Sequence, residues 1–339
     1  MTNVKAFAAR EQREQLKAFS FDLEPPKAEE VQIEIMHCGI CHTDLVFLDN
    51  EWGNIPFPLV PGHEIVGRIT KLGDVARDKG LQIGQIVGVG WMKESCLHCN
   101  PCFDGETHLC ENGKATIMGN HGGFASHIKT HWHWTVPIPA GVSAADAGPL
   151  LCAGITVFAP LLHYGISPTS TVGVFGIGGL GHLALQFLKA WGARTVAFSS
   201  SAKKADEIRG FGADTILPST DDTAWDAWKG KFDLILITSF NGLNWEKVTS
   251  LLAPNGRLHI VGLVGEPVSL GVASLIMGQK QVSGSPVGSR SALGKMLQFA
   301  ERHKISPLTE HFPMSKVNEA IAHLRSGHAH YRLVLDADF

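Results

Sequence analysis

Four cysteines lie within fifteen consecutive positions, and their spacing is that of a metal site: Cys96, Cys99, Cys102 and Cys110. Four thiolates at these intervals can close a tetrahedral shell around zinc. An iron–sulfur cluster is a competing interpretation, but the ferredoxin pattern has three residues before its last cysteine and then a proline, and neither feature is present. Free thiols are the other alternative. We predict a structural zinc ion whose full shell braces a loop and leaves no position for substrate.

A glycine-rich run lies between a short apolar segment and a helical pattern. It consists of Gly176, Ile177, Gly178, Gly179, Leu180 and Gly181. Glycines in this context permit a tight turn, close approach of the backbone to a pyrophosphate, and close packing of the helix on the strand. The helix then offers its unpaired N–H groups to the anion. We predict dinucleotide binding here, and a glycine-rich turn without a ligand is the alternative.

The segment after the next predicted strand bears on which dinucleotide binds. An NAD-preferring site usually has an acidic residue for the ribose 2′-hydroxyl about 20 residues beyond the first glycine. This chain has hydroxyl and ammonium side chains there instead: Ser199, Ser200, Ser201, Lys203 and Lys204. Such groups suit a 2′-phosphate, which a carboxylate would repel. The loop therefore favours NADP(H), although a solvated serine-rich loop with ordinary surface lysines is the plainer interpretation.

Three further segments, residues 39–44, 61–64 and 151–154, carry cysteine or histidine at predicted element boundaries. Each alone is unremarkable, because a single cysteine or histidine is more often packed than ligating. Together with the glycine-rich run they resemble the zinc-dependent medium-chain alcohol dehydrogenases. Within that family the chain is most similar to the cinnamyl alcohol dehydrogenase-like branch and, there, to bacterial NADPH-dependent aldehyde reductases. The closer match is carried by residues 41–45, 50–53, 148–152, 154–158 and 284–285.

The resemblance implies a second, catalytic zinc ion held by Cys41, His63 and Cys152. Three protein ligands leave one position for water or a substrate oxygen, and this ligand set is the one known for alcohol dehydrogenase. The resemblance also implies that Glu64 lies beside the metal and enters its shell when substrate is absent. Asp44 matches the carboxylate that orients the ligating histidine.

The proton relay that the resemblance implies departs from the family pattern. Thr43 matches the hydroxyl that passes the alkoxide proton through the ribose 2′-hydroxyl towards solvent. Many relatives carry histidine five positions after the first metal-binding cysteine, at the outer end of this relay, whereas this chain has Val46. We therefore expect the outer end of the relay to differ and assign no catalytic histidine to it.

Contacts to the cofactor outside the glycine-rich run are also implied by the resemblance. His42 and Arg332 match residues that contact the pyrophosphate, and Thr156 matches a nicotinamide contact. The backbone bordering the nicotinamide amide is expected near four further residues: Gly262, Leu263, Ser285 and Val287.

The elements that must position these residues fall into two patterns. Residues 31–35 alternate apolar and polar, which predicts a half-buried strand, and short strand-like runs continue to about residue 145. From residue 172 onward a compact apolar strand precedes a helical stripe that ends at Gly192, and strands then alternate with helical patterns. Alternation of this kind predicts a doubly wound parallel sheet.

The predicted fold is therefore α/β, with a Rossmann domain for NADP inserted into a discontinuous β-rich domain. The resemblance identifies the β-rich domain as GroES-like and as the catalytic domain that carries both zinc sites. The predicted boundaries are residues 1–148 and 289–339 for the catalytic domain and residues 149–288 for the Rossmann domain.

Composition excludes several classes of function. The 339 residues carry 29 Lys and Arg against 32 Asp and Glu, a formal net charge of −3, and no basic run, which argues against nucleic acid and anionic membranes. The uncharged stretches are too short and interrupted for a membrane span, and the first residues are too charged for a secretory signal. With the metal-type cysteine spacing, these features predict a cytoplasmic protein. The resemblance implies a homo-oligomer, and we expect a homodimer.

These expectations combine into an NADP-dependent enzyme with two zinc ions that reduces aldehydes to primary alcohols, reversibly. Trp52, Phe57 and Trp91 are either core residues or the walls of an apolar pocket suited to aromatic or medium aliphatic aldehydes. The nearest alternative is NAD-linked oxidation of a specific alcohol or polyol on the same fold. A non-catalytic cofactor-binding protein is an alternative of another class.

Overall fold

A computed structural model describes residues 1–239, 242–263, 265 and 267–339. It divides the chain into two compact units, one formed by Met1–Cys152 and Gly288–Phe339, the other by Ala153–Val287. The first unit is thus discontinuous in sequence. It extends to Cys152, beyond the predicted boundary at residue 148, so this cysteine belongs to the same unit as the other six.

The described residues form short strands and helices throughout both units. The strands are β1 (Thr2–Ala8), β2 (Lys17–Leu23), β3 (Glu30–Ile40), β4 (Glu64–Leu72), β5 (Ile86–Val89), β6 (Met92–Glu94), β7 (Lys114–Ala115), β8 (His127–His131), β9 (Val136–Pro137), β10 (Thr171–Phe175), β11 (Arg194–Ser199), β12 (Thr215–Pro218), β13 (Phe232–Ile237), β14 (Leu252–Ile260), β15 (Gln281–Gly284), β16 (Thr309–Pro313) and β17 (Arg332–Asp336). The helices are α1 (His42–Leu48), α2 (Asp74–Arg77), α3 (Asn100–Phe103), α4 (Ala153–His163), α5 (Gly181–Trp191), α6 (Ala205–Gly210), α7 (Trp245–Ser250), α8 (Val272–Gly278), α9 (Arg290–His303) and α10 (Val317–Arg325).

The first unit is built on a seven-stranded sheet with the order β16-β17-β3-β4-β5-β9, in which β8 also pairs with β3. The long strand β3 is central, and the apolar side chains of Val31, Ile33 and Ile35 lie in the hydrophobic core. Gln32 is buried too, contrary to the predicted alternation of buried and exposed positions. Its amide donates to the Thr2 hydroxyl at 3.1 Å, which partly satisfies the polar group where solvent is excluded.

The second unit contains a six-stranded, wholly parallel sheet with the order β12-β11-β10-β13-β14-β15. This is the doubly wound order of dinucleotide-binding folds, with chain direction across the sheet reversing between β10 and β13. Ligands of such sheets bind beyond the carboxyl ends of the strands at that reversal, which is where the glycine-rich run leaves β10.

Helix α5 follows the glycine-rich run and packs through the apolar stripe that the sequence contains. Leu183, Ala184, Phe187 and Leu188 are all buried. The helix ends at Gly192, whose φ of 91° is left-handed and therefore favours glycine. Across the described part of the chain, the helices are too short or too polar to serve as membrane spans.

Candidate active site and metal centres

The four clustered cysteines converge in the first unit. One sulfur atom from each of Cys96, Cys99, Cys102 and Cys110 lies within 4.8 Å of the other three. The short helix α3 brings Cys99 and Cys102 together, and the Cys96 N–H donates to the Cys110 sulfur at 3.2 Å. Backbone hydrogen bonding from His98 lowers the pKa of Cys96 to about 6. Four soft sulfur donors at this spacing, with a backbone N–H supporting the thiolate form, fit a tetrahedral zinc ion.

A second convergence, also in the first unit, brings together Cys41, His63, Glu64 and Cys152 within the same 4.8 Å limit. Cys41 lies between β3 and α1, and His63 and Glu64 lie at the start of β4. Cys152 follows a 3-10 turn formed by Gly148–Leu151. Contact with the Cys152 thiol and with His63 holds the pKa of Cys41 well below its usual range, so the cluster favours a thiolate.

Asp44 organises this second cluster and is itself completely buried. One carboxylate oxygen accepts from the Cys41 N–H at 2.8 Å, and the other accepts from the Gly62 N–H at 2.9 Å. The latter oxygen also lies 3.3 Å from Nδ1 of His63. The carboxylate thus fixes one ligand's backbone and the other ligand's ring, as a partner of a metal-binding histidine should.

The second ring nitrogen of His63 shows that the cluster is suited to a metal ion. Its Nε2 is buried and has no hydrogen-bond partner among the described residues. Leaving such a nitrogen unsatisfied costs free energy, whereas a metal ion between it and the two thiols would satisfy it. The set of one imidazole and two sulfurs suits zinc, and the residues therefore fit the predicted ion.

Glu64 is paired with Arg332, a contact that no local sequence signal indicates because the two are 268 positions apart. Both side chains are buried, and the guanidinium Nη2 contacts one Glu64 oxygen. Burial raises the pKa of Glu64, and the charge of Arg332 opposes that rise. The other Glu64 oxygen has no partner among the described residues, so it is available to a metal. The expected pyrophosphate contact of Arg332 stays a prediction.

Thr43 and Trp91 border the cluster, and Trp52 lies next to Trp91. The Thr43 hydroxyl lies 3.6 Å from the Cys41 sulfur, while Val46 is buried within α1. The Trp91 ring lies edge-on to the His63 ring at a centroid distance of 5.4 Å, and Trp52 lies 6.4 Å from Trp91. Phe57 packs on the hydrophobic core of this unit, as Trp91 also does.

The sequence does not predict that Phe47 belongs to the aromatic group near this cluster, because it lies within an ordinary helical stripe. Its ring contacts both tryptophans, with centroid distances of 5.0 Å to Trp52 and 6.0 Å to Trp91. The three rings form a continuous aromatic group next to His63 of the second cluster.

The glycine-rich run in the second unit has the geometry of a close-approach loop. Gly176 has a φ of 90°, and a Cβ atom there would lie 2.7 Å from the Ser239 side chain. A Cβ on Gly181 would lie 2.2 Å from the Gly176 carbonyl oxygen, which shows how closely α5 approaches the end of β10. Gly178 has open space around it. These features fit a pyrophosphate at the helix N-terminus.

The predicted 2′-phosphate loop follows β11 directly. The Ser199 hydroxyl accepts from the Ser201 N–H at 3.2 Å, which shapes the turn, while Ser200, Lys203 and Lys204 are exposed.

The other predicted cofactor residues are dispersed over both units. Thr156 is buried in α4, Gly262 and Leu263 follow β14, Ser285 and Val287 follow β15, and His42 is exposed at the start of α1. The Ser285 hydroxyl lies 2.9 Å from Nε2 of the buried His259, a partner that sequence patterns do not reveal.

Comparison with known proteins agrees with this geometry. The family profile "Alcohol dehydrogenase GroES-like domain" matches residues 27–140, and the profile "Zinc-binding dehydrogenase" matches residues 179–302. The aldehyde reductase AdhA of Synechocystis sp. is 46% identical over 332 residues, which cover 98% of each protein. The chain belongs to the zinc-dependent alcohol dehydrogenases. The predicted family and fold class are thereby confirmed.

Solved structures match the dehydrogenase over nearly its whole length. A cinnamyl alcohol dehydrogenase from Sorghum bicolor is 36% identical, with a TM-score of 0.93, and the match covers 99% of this chain and 98% of that one. CAD from Helicobacter pylori, complexed with NADP(H), is 29% identical, with a TM-score of 0.90 and 98% coverage of both chains.

Proposed function

We propose that this dehydrogenase reduces aldehydes to primary alcohols with NADPH, in a reversible reaction that needs zinc. The observation that carries the proposal is the convergence of buried Cys41 and His63 with half-buried Cys152, where the unpartnered Nε2 of His63 lies beside the two sulfurs. The similarity to a protein named aldehyde reductase and to a dehydrogenase complexed with NADP(H) supports the same reaction and cofactor.

Two zinc ions per chain are part of this proposal. Cys96, Cys99, Cys102 and Cys110 would hold the structural ion, whereas Cys41, His63 and Cys152 would hold the catalytic one, with Glu64 beside it. When bound, the catalytic zinc supplies a Lewis acid for a carbonyl oxygen, and NADPH supplies the hydride.

The chain's own residues prepare the site for that chemistry. Asp44 holds Nδ1 of His63 and the Cys41 backbone, so the two ligands keep their orientation between turnovers. The Thr43 hydroxyl, next to the Cys41 sulfur, is placed to hold the proton that the product oxygen takes up. Since Val46 is apolar and buried, proton transfer beyond Thr43 relies on groups other than a histidine at that position.

The preference for NADPH rests on the loop after β11. Ser199, Ser200 and Ser201 offer hydroxyl groups, and Lys203 and Lys204 offer positive charge, with no carboxylate to repel a 2′-phosphate.

The proposed substrate class is supported by Trp52 and Trp91, which are exposed and half-buried, because flat apolar walls favour aromatic or medium aliphatic aldehydes over small polar ones, whereas Phe47 is buried behind them.

We include a homodimer in the proposal. Helix α8 exposes Val272, Ile276 and Met277, and the neighbouring strand β15 lies at the edge of the parallel sheet. An uncovered sheet edge beside apolar side chains is a surface that a second copy can cover.

The test is consumption of reduced nicotinamide with benzaldehyde, cinnamaldehyde and a short aliphatic aldehyde, each with NADPH and with NADH. The expected result is rapid turnover with NADPH that is lost on zinc chelation and restored by added zinc. Turnover with NADH alone, or turnover that survives complete metal removal, would contradict the proposal. Absence of turnover with every aldehyde, in protein that contains two zinc ions, would favour oxidation of an alcohol or polyol instead.

A further inference from the structure

A cavity of about 300 Å³ lies in the first unit, outside the metal clusters. It is half open to solvent and is bordered by the end of β2, the segment that precedes His63, the strands β6 and β8, and the loop after β7. Its walls are mixed: Phe21, Leu23, Pro56, Pro58 and Ile128 give an apolar part, and the other side chains that line it are polar or ionisable. Cavities of this size and character hold small molecules in many proteins.

The charge in this cavity comes from Lys93 on β6. Asn120 Oδ1 accepts from the Lys93 ammonium at 3.3 Å, and the Asn120 amide group is itself fixed because it donates to the carbonyls of Ala115 and Met118. Within the described ranges, no carboxylate lies within 4 Å of the Lys93 ammonium. Burial lowers the pKa of Lys93, so an anion brought next to this ammonium would relieve the cost of burying it.

The other ionisable groups of the cavity add little net charge. Lys129 is neutralised by Glu30 at 2.9 Å. Burial, together with the charge of Lys93, lowers the pKa of His121, and burial lowers the pKa of His127, so both rings are neutral near pH 7. Glu30 and Glu94 also act on Lys93 through their charges, but neither carboxylate contacts its ammonium, which leaves that group free to pair with an anion beside the apolar part of the walls.

The position of the aromatic wall is also fixed. The Phe21 ring packs on the His121 ring with a centroid distance of 4.3 Å and an interplanar angle of 42°. A flat ring is therefore held on one side of the cavity, while Pro56 and Pro58 contribute rigid surfaces. A ligand with a ring and a single negative charge would match both the walls and the charge.

We propose that this cavity is a second ligand site, which binds a small ring-bearing monocarboxylate through Lys93 and Asn120. The carboxylate would take the place next to the Lys93 ammonium, and the ring would lie between Phe21 and the proline walls. The site is independent of the proposed reduction, because none of its residues belongs to either cysteine cluster.

Calorimetric titration with benzoate tests the proposal, with benzamide as the uncharged probe of equal shape. The intact protein should bind benzoate with a dissociation constant near or below about 1 mM, and benzamide at least about tenfold more weakly. Lys93→Met keeps an unbranched apolar side chain and should weaken benzoate binding at least about tenfold. Lys5→Met removes an equal charge from an exposed position on β1 and should leave the binding unchanged.

A second variant tests whether benzoate binds at the catalytic cluster instead of in the cavity. Cys152→Ser impairs that cluster, so benzoate affinity should survive in it if the cavity is the site. Loss of binding in Cys152→Ser, unchanged binding in Lys93→Met, equal affinity for benzamide, or no measurable heat up to about 10 mM benzoate would each overturn the proposal. Thermal unfolding of every variant is measured alongside, and the comparison of benzoate with benzamide on Cys152→Ser decides the matter if Lys93→Met does not fold.

Discussion

Cys152 supplies one of the two sulfurs at the proposed catalytic zinc, and its removal separates metal-dependent turnover from cofactor binding. Cys152→Ala should lower turnover at least about 10³-fold, because loss of Lewis-acid assistance removes several kcal/mol of transition-state stabilisation. Metal content should fall from two zinc ions per chain to one. NADPH affinity, measured by fluorescence titration, should remain within about twofold. Full turnover in this variant would remove Cys152 from the ligand set.

Ser199 lies at the carboxyl end of β11, where the cofactor's 2′-phosphate is expected. Ser199→Asp should raise the KM for NADPH about tenfold or more and change the KM for NADH much less, because a carboxylate close to a phosphate costs 1 kcal/mol or more, as an order of magnitude, even in water. Ser167→Asp, at the exposed amino end of the same sheet, is the matched control. Equal losses with both cofactors would reject this role for Ser199.

At the scale of single residues, a site is predicted well when its members lie at characteristic short intervals along the sequence. The four clustered cysteines and the glycine-rich run are local patterns, and the structure brings their members together as expected. The pairing of Glu64 with Arg332, and of Ser285 with His259, could not be predicted, because such contacts depend on how distant strands align. Phe47 was missed for a different reason, since its helical position is typical of core.

Between β10 and α5, the spacing of the glycines decides how closely strand and helix approach. Gly181→Ala should lower the free energy of unfolding by about 1–3 kcal/mol, because the new Cβ would lie 2.2 Å from the Gly176 carbonyl oxygen. Gly178→Ala is the control, since an added Cβ there meets nothing within 4 Å. Denaturant unfolding of both variants measures the difference. If the two variants had equal free energies of unfolding, the strand and helix would be able to move apart and accept the added Cβ without loss of stability.

Most elements of the parallel sheet were predictable because they are compact apolar runs with both faces buried. The strands β12 and β15 were not, because they lie at the two edges of the sheet and carry polar and exposed residues. Residue polarity also failed to predict the burial of Gln32. The alternating pattern of β3 predicts that this polar residue is exposed, yet tertiary packing buries it.

At the scale of the whole molecule, the apolar face of α8 should determine oligomeric state. Ile276 and Met277 are 67% and 87% exposed in the single chain. Ile276→Glu should convert the dimer to a monomer, because it places a charge in the proposed apolar interface. Ile83→Glu, at a 62% exposed position of the first unit, is the matched control and should leave the dimer intact. Light scattering after size-exclusion chromatography gives the masses, and a dimeric Ile276→Glu would move the interface elsewhere.

The discontinuity of the first unit has a consequence for the order in which the two proposed metal centres would form during synthesis on the ribosome. The four-cysteine loop is complete once fifteen consecutive residues have emerged, so it can take up its ion while the chain is still growing. Arg332 follows Glu64 by 268 residues, which is a delay of roughly 10–50 s at typical elongation rates. Until then, β3 lacks its partner β17 and the Glu64 carboxylate lacks its guanidinium. The proposed catalytic centre would therefore reach its final form only after translation of the second unit, and the proposed structural centre would precede it.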